Sequence, residues 1–484
     1  MLWTHSEPTP PPHGMRTIPC SGFDITPIVM ILTTGLIIES RLDARKLEGT
    51  LTTLIERKFP RAGARIALRN GAYEFQIPER FGPDAPCVNF TVKNHPEAYR
   101  ADPSRPTLPM DLKFPTPSLP SLSKVPDAVH QYLRSSSCPQ SIKAIIESKK
   151  PMLHVHVTLF DDVTFIGVTS SHVGFDAVGT GTLLNAWTRL INGTDIDAIK
   201  GMPWDVQPFA SFAGPTQITK LRGWFNLGIL SQMVFIAYFI CRLFRDSNDY
   251  DVFVHVPKSF LEEEKRKIID QLKKERSSEW VGSSDVLTAW WYKTALGYRV
   301  NDRTPFHLYF PVNIREKPLF LGQSTLETPY INNAVAWLAI PPLPVKAFHE
   351  KSLTELALHI RRAILAYDAD PEGLRDDMSC LCANPFKTHF PCPPGGEFSS
   401  HTNWRVAGFG GLDFSGAVVG EQVKQARVAF VFPVFTSRMP YYLLRGSGAV
   451  LMEDEEAIWL IQKRGEKDWD GILRSGSVPL IYNS

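Results

Sequence analysis

Apolar residues recur along most of the chain in two alternating spacings, one typical of β-strands and one typical of helices. The clearest example is residues 163–171, a run rich in Val, Ile, Thr and Phe, followed by apolar residues at helical spacing over 183–190. This pattern predicts a buried strand followed by a helix. His172 and Asp176 lie in the connection between them.

The chain ahead of this unit predicts a strand, a helix and a hairpin. The strand covers residues 28–38, and the helix covers 42–58, with its leucines and isoleucine on one side. Asn70 and Gly71 separate two further β-type runs, which is a strong hairpin signal because this turn requires residues that tolerate positive φ.

Two polar features separate these elements. Prolines recur from residue 96 to residue 126 with Ser, Asp and Lys, which predicts an extended surface segment without regular structure. His154 and His156 alternate with valines, so both fall on the same face of a strand. Because no further ligand lies nearby in the sequence, a polar strand face is favoured over a metal site.

The second half of the chain repeats the mixed pattern. Helices are predicted over 259–276, 286–296 and 348–366, and strands over 253–256, 306–315, 330–340, 404–417, 428–434 and 441–444. Ser283 is the candidate N-cap of the second of these helices. Cys380, Cys382, His389 and Cys392 offer soft metal ligands, but the C-x-C spacing and the surrounding prolines favour a loop with incidental thiols.

Composition narrows the class of protein. A length of 484 residues favours two large domains over one. The 52 Lys and Arg residues nearly balance the 50 Asp and Glu residues, and no long basic tract appears, which argues against nucleic acid as a partner. Seven scattered cysteines indicate a reducing compartment, so we expect a cytoplasmic protein. Residues 1–22 lack the pattern of a secretory signal and are predicted to be a flexible lead-in.

Residues 224–244 form the most apolar stretch of the chain and carry no charge before Arg242. Their length approaches the roughly 20 residues that a bilayer span requires. Lys220 and Arg222 precede the stretch and Arg245 follows it, and basic residues on both flanks are typical of interfacial anchors as well as spans. Three interpretations stay open: peripheral membrane contact, a buried interdomain helix and a membrane span.

Five motifs occur in order along the chain. They are His172-Val-Gly-Phe-Asp176, Ser283-Ser-Asp-Val-Leu-Thr-Ala-Trp, Asn313-Ile-Arg315, Tyr330-Ile-Asn-Asn333 and, after Trp404, Asp413-Phe-Ser-Gly-Ala417. An isolated H-x-x-x-D arises by chance, and His172 alone would be read as a hydrogen-bonded loop residue. Together, however, the motifs resemble the H-x-x-x-D-G loop, second-half helix, N-x-R strand end, Y-x-G-N run and D-F-G-W-G loop of the BAHD family of CoA-dependent acyltransferases, particularly its divergent fungal members.

The resemblance implies a chloramphenicol-acetyltransferase-like α/β fold. Two similar domains, each a mixed β-sheet flanked by helices, would enclose an active-site channel. We place the N-terminal acyltransferase domain at 23–200, a linker with the apolar stretch at 201–250 and the C-terminal acyltransferase domain at 251–484. The implied activity is transfer of an acyl group from acyl-CoA to a hydroxyl of a small natural product, and acetyl is the acyl group we expect. The resemblance also implies a monomer that needs no metal.

The resemblance also assigns roles to individual residues. The implied roles are general base for His172, a loop-shaping ion pair for Asp176 and Arg315, and the channel wall for Trp404 and Asp413. Ser283 and Asp413 are the candidates for cofactor contacts. An imidazole suits the first role because its ordinary pKa lies close to working pH.

Departures from the family pattern keep two alternatives open. Ala177 stands where the family has glycine, and Ser415 and Ala417 interrupt the D-F-G-W-G pattern. A carrier-dependent condensing enzyme of the same fold is one alternative, although Ser171 stands where such enzymes carry a second histidine. A non-catalytic membrane-associated scaffold is the other.

Overall fold

The computed structural model describes residues 12–27, 30–114, 116–317, 329–420, 425–436 and 444–481. The strands are β1 (Met15–Pro19), β2 (Ile31–Ile38), β3 (Arg65–Arg69), β4 (Ala72–Pro78), β5 (Asn89–Asn94), β6 (Ser121–Lys124), β7 (His154–Leu159), β8 (Thr164–Ser171), β9 (Asp249–Pro257), β10 (Pro305–Asn313), β11 (Val335–Pro344), β12 (Glu397–Asn403), β13 (Val428–Thr436), β14 (Gly448–Glu453), β15 (Ala457–Gly465) and β16 (Leu480–Ile481). The helices are α1 (Gly22–Ile25), α2 (Ala44–Lys58), α3 (His130–Leu133), α4 (Ile142–Ser148), α5 (Ala177–Ile191), α6 (Ile229–Arg245), α7 (Lys258–Lys274), α8 (Ser283–Leu296), α9 (Ala347–Glu350), α10 (Leu353–Asp368), α11 (Pro371–Ala383) and α12 (Glu466–Arg474).

Two mixed sheets form the core of the described structure, with a small three-stranded sheet, β1-β4-β3, beside them. The five-stranded sheet has the order β13-β2-β8-β7-β5. Its central strands β2 and β8 are antiparallel, and every residue of both is buried, as their apolar and β-branched sequences require. The eight-stranded sheet has the order β11-β10-β12-β14-β15-β9-β6-β16.

The two large sheets exchange strands. β13 comes from the C-terminal half of the sequence but pairs with β2 over eight residue pairs, and β6 comes from the N-terminal half but pairs with β9. The division at residues 200 and 251 stays a prediction, and each sheet draws strands from both sides of it.

Several predicted elements are confirmed. The helix predicted over 42–58 is α2, whose N-cap is Asp43. β3 and β4 form the predicted hairpin, with Asn70 at φ 51° and Gly71 at φ 77° in the turn. The strand at 163–171 and the following helix are β8 and α5.

Other predictions are wrong in part. Residues 15–19 of the supposed lead-in form β1, which pairs with β4, and the extended segment at 96–126 contains β6. The N-cap of α8 is Gly282, one residue before Ser283. Cys380 and Cys382 lie in helix α11, not in a loop. Residues 28–29 and 441–443, both assigned to strands, lie outside the described residues.

The strand predicted over 404–417 is also wrong. These residues form three short 3-10 turns, and the strand of this region is β12, which precedes them. Gly408 adopts φ +71°, a conformation that ends extended structure and favours glycine. Glycines among apolar residues therefore mark a folded turn here.

The apolar stretch at 224–244 forms helix α6 over most of its length, and several of its apolar side chains are exposed. Ile229, Leu230 and Phe244 are 81%, 75% and 85% exposed, whereas Phe235 is buried. The buried-helix interpretation is therefore wrong. Among the helices that the structure describes, none is long and apolar enough to cross a membrane.

Candidate active site

A cavity of about 1140 Å³ lies between the two large sheets. The five-stranded sheet contributes residues from β2 and β13, and the eight-stranded sheet contributes residues from β10, β11, β12, β14 and β15. Ligand pockets have volumes of about 300–1,000 Å³, so this cavity is large enough for a small-molecule substrate. His172, at the end of β8, lines it.

The hydrogen bonds of His172 define its tautomer. Its backbone N–H donates to the Met30 carbonyl at 2.8 Å, which holds the residue at the sheet end. Its Nδ1 lies 3.1 Å from Oδ1 of Asn333. Asn333 Nδ2 donates to the His172 and Val173 carbonyls at 2.7 and 3.1 Å, so the amide presents its oxygen to the imidazole. Nδ1 must therefore carry the proton.

The other imidazole nitrogen is the one available for chemistry. Nε2 of His172 has no hydrogen-bond partner among the described residues, and in this tautomer it bears a lone pair. An imidazole with one nitrogen held by a fixed acceptor and the other facing a cavity can accept a proton from a bound hydroxyl.

The structure brings Asp176 and Arg315 together. Arg315 Nη2 donates to Asp176 Oδ1 at 3.0 Å, and both side chains are buried. The Asp176 carboxylate also accepts from the backbone N–H of Gly179 at 2.7 Å and of Ala334 at 2.9 Å. With its oxygens occupied in this way, Asp176 caps α5 and ties the His172 loop to the segment that carries Asn333.

Ala177 fits the loop without strain. It is the first residue of α5, and its φ is not positive, so no glycine is required there. The close approach occurs two residues later: a Cβ added to Gly179 would lie 1.8 Å from the Ile331 carbonyl oxygen. The departure from the family pattern at Ala177 is therefore compatible with the loop that presents His172.

The remaining predicted residues occupy different positions. Trp404 is buried and lines the cavity. Ser283 and Asp413 do not line it: Ser283 accepts from Lys265 Nζ at 3.2 Å on the surface, and Asp413 accepts from the backbone N–H of Ser415 at 2.9 Å in a local turn. The structure thus gives neither a place at the cavity.

The histidines of β7 lie away from any metal-like cluster. His154 contacts Asn89 and His156 contacts Thr91, each at 2.8 Å, across the strand pair β5–β7. Burial lowers the pKa of His154 to about 4. No group of three or more metal-ligating side chains occurs among the described residues, and Cys380 Sγ approaches only His389, at 4.0 Å.

The sequence assigns no role to two residues of the site, Asn333 and Asp24. Asn333 lies in the Tyr330-Ile-Asn-Asn333 motif, whereas Asp24 belongs to none of the five motifs. Asp24 Oδ1 accepts from the backbone N–H and from Nδ2 of Asn333, at 3.4 and 3.3 Å. Because 309 positions separate these two residues, no local pattern indicates the contact.

The chain is similar in sequence to several fungal proteins. The chain is 27% identical over 416 residues to the acetyltransferase adrJ of Penicillium roqueforti, covering 80% of this chain and 79% of the relative. It is 25% identical over 448 residues to the O-acyltransferase pboC of Aspergillus ustus, covering 89% and 92%. It is also 25% identical over 440 residues to calD of Penicillium decumbens, which is named a transcriptional regulator, covering 85% and 84%. No family model matches the chain.

Solved structures share the fold. TRI101 of F. sporotrichioides, crystallised with coenzyme A and T-2, superposes with a TM-score of 0.61 at 14% identity, covering 94% of this chain and 96% of that one. Vinorine synthase gives a TM-score of 0.59 at 17% identity, covering 96% and 93%. The predicted two-domain α/β fold of the chloramphenicol-acetyltransferase type is confirmed.

Fold and sequence relatives together support an acyltransferase. The fungal relatives adrJ and pboC are named an acetyltransferase and an O-acyltransferase, which agrees with the resemblance seen in the five motifs.

Proposed function

We propose that this chain transfers an acyl group, with acetyl as the first candidate, from acyl-CoA to a hydroxyl of a small natural product, and that His172 is the general base. The observation that carries the proposal is the fixed imidazole: Asn333 holds Nδ1, and Nε2, which has no hydrogen-bond partner among the described residues, is available at a large cavity that His172 lines. The fold shared with TRI101, which was crystallised with coenzyme A, supports a coenzyme A thioester as the acyl donor.

The reaction proceeds by direct attack. Nε2 of His172 takes the proton of the acceptor hydroxyl as its oxygen bonds to the thioester carbonyl carbon. The tetrahedral intermediate then breaks its C–S bond, and the thiolate leaving group recovers the proton from the imidazolium. The products are the ester and free CoA thiol, and no acyl group is ever bound to the protein.

Asp176 and Arg315 support this step without taking part in it. Their ion pair is buried, and the carboxylate oxygens are occupied by Arg315 and two backbone N–H groups. We propose that the pair keeps the 172–176 loop in the shape that presents His172. Trp404 forms part of the wall that confines the reactants.

The experiment supplies purified protein with acetyl-CoA and a panel of natural-product alcohols, such as terpenoids and polyketides, and follows free thiol and product mass. We expect thiol release that depends on the alcohol. With acetyl-CoA alone, intact-protein mass should show no acyl adduct. Turnover from carrier-bound thioesters only would favour the condensing enzyme, and no turnover from either donor would favour the scaffold.

We further propose that the protein is a cytoplasmic monomer and that it contacts a membrane surface through α6. The exposed side chains of Ile229, Leu230 and Phe244 lie along the helix, Arg245 at its end suits anionic headgroups, and Leu243 lines the cavity. With α6 bound at the membrane surface, the cavity beside it would lie close to the lipid phase in which apolar acceptor molecules concentrate.

Flotation with vesicles tests this contact. Wild type should float with vesicles that contain anionic lipid, and the double variant Leu230→Ser/Phe244→Ser should float much less at unchanged thermal stability. Equal flotation of the two proteins, or none of either, contradicts the contact. If light scattering shows a wild-type dimer that the double variant lacks, α6 binds a second copy instead.

A further inference from the structure

The buried carboxylate of Asp24 contacts Asn333, the residue that holds Nδ1 of His172. Asp24 is 2% exposed and belongs to α1. Its Oδ2 accepts from the backbone N–H and the hydroxyl of Ser21, at 2.8 and 2.7 Å. Its Oδ1 faces the two N–H groups of Asn333.

The two hydrogens of the Asn333 amide are thereby directed to different acceptors. Nδ2 contacts the carbonyls of His172 and Val173 at 2.7 and 3.1 Å and Asp24 Oδ1 at 3.3 Å. If the amide flipped, its oxygen would face these three acceptors in a buried site and make no hydrogen bond, which is strongly unfavourable. Asp24 thus adds a third acceptor that opposes the flip.

The amide orientation decides which imidazole nitrogen is protonated. With Oδ1 toward His172, only the Nδ1–H tautomer can form the bond at 3.1 Å. With the amide flipped, Nδ2 would donate to Nδ1 and the proton would move to Nε2, where a base needs a lone pair. A wrong tautomer disables a catalytic histidine even when its geometry is intact.

Burial opposes ionisation of Asp24, but its neighbours suit an acceptor. Desolvation raises the pKa of the carboxyl, while the hydrogen bonds from Ser21 and Asn333 and the charge of Arg61 lower it. Because Oδ1 contacts only N–H groups among the described residues, it accepts from Asn333 whether or not the other oxygen is protonated.

We propose that Asp24 is a positioning residue that acts through Asn333 to hold His172 in the Nδ1–H tautomer. The inference rests on the proposed role of His172 as base. It assigns no contact between Asp24 and substrate.

The test combines imidazole nitrogen NMR with steady-state kinetics. Protein labelled with ¹⁵N at histidine should show His172, assigned by its loss in His172→Gln, as a single Nδ1–H tautomer. In Asp24→Asn an NH2 group replaces one carboxylate oxygen, so either Ser21 or Asn333 faces a donor where its own N–H needs an acceptor. We expect a mixture of tautomers and a kcat about 10-fold lower, the size expected for the loss of one hydrogen bond, with both KM values within about twofold of wild type.

Ser21→Ala is the matched control, because it removes a hydrogen bond to the same carboxylate and the cap of α1 but leaves the Asn333 contact. It should keep the Nδ1–H tautomer and the wild-type kcat. A single Nδ1–H tautomer and unchanged kcat in Asp24→Asn would overturn the proposal. So would an Nε2–H tautomer in wild type, a result that needs no folded variant.

The outcomes separate this inference from the proposed function. Wild type that holds the Nδ1–H tautomer, and loses it in Asp24→Asn, but releases no thiol with any acceptor would contradict acyl transfer and leave the positioning role standing. Conversely, if wild type releases thiol and Asp24→Asn keeps the Nδ1–H tautomer and the wild-type kcat, acyl transfer stands and the positioning role of Asp24 is contradicted.

Discussion

Removing the cation from the Asp176–Arg315 pair should destabilise the whole protein. In Arg315→Ala the carboxylate of Asp176 stays buried, with a side chain only 3% exposed, and keeps just two backbone N–H donors. Breaking a buried ion pair from one side costs about 3–5 kcal/mol. Because the two N–H groups remain, we expect the low end, about 3 kcal/mol, against a total stability of about 5–15 kcal/mol.

Urea unfolding followed by tryptophan fluorescence measures this loss. Arg362→Ala is the control, since the Arg362 ion pair with Glu279 is exposed and such pairs contribute about 0–1 kcal/mol. The double variant Asp176→Asn/Arg315→Leu should recover part of the loss, because neither charge is then buried alone. If Arg315→Ala and Arg362→Ala unfold within about 1 kcal/mol of each other, the reasoning about the buried pair is refuted.

Two further predictions concern the α5 loop and acid stability. Ala177→Gly should stay within about 1 kcal/mol of wild-type stability and keep full activity. Gly179→Ala should lose stability and activity, because its Cβ would lie 1.8 Å from the Ile331 carbonyl oxygen. Equal urea midpoints for the two variants would contradict the assigned close approach. Burial lowers the pKa of His401 to about 4 from 6.5, so the unfolded chain takes up a proton first as pH falls. Stability should therefore drop between pH 6.5 and 4, at up to about 1.4 kcal/mol per pH unit from this group. His401→Leu should reduce the slope of unfolding free energy against pH, the exposed control His349→Leu should not, and equal slopes for both would count against the assignment.

Local patterns predicted the elements whose signals are local. The Asp43 cap and the Asn70-Gly71 turn determine backbone conformation within a few residues, and both occur where expected. β12 was missed because its sequence is mostly polar. It is nevertheless paired on both sides, by β10 and β14, so tertiary pairing makes it a strand.

Some residues of the candidate site can likewise be predicted from local sequence motifs, whereas the contacts between them depend on the tertiary structure. His172, Asp176 and Arg315 were found because ordered motifs carry them, and the structure brings the two charged residues together. The contacts of Asn333 with His172 and Asp24 join positions 161 and 309 residues apart, and they exist only once the sheets have formed. Whether a polar residue sits in a motif can be read from sequence, but the atom it faces cannot.

The most direct test of the account is the rate of acetyl-CoA-dependent ester formation by His172→Ala, per folded molecule, beside wild type and His130→Ala. His130 also lines the cavity but is assigned no chemistry. Loss of a general base lowers the rate about 10²- to 10⁴-fold, so we expect that loss in His172→Ala and retained turnover in His130→Ala. Transfer by His172→Ala at the wild-type rate would contradict the account.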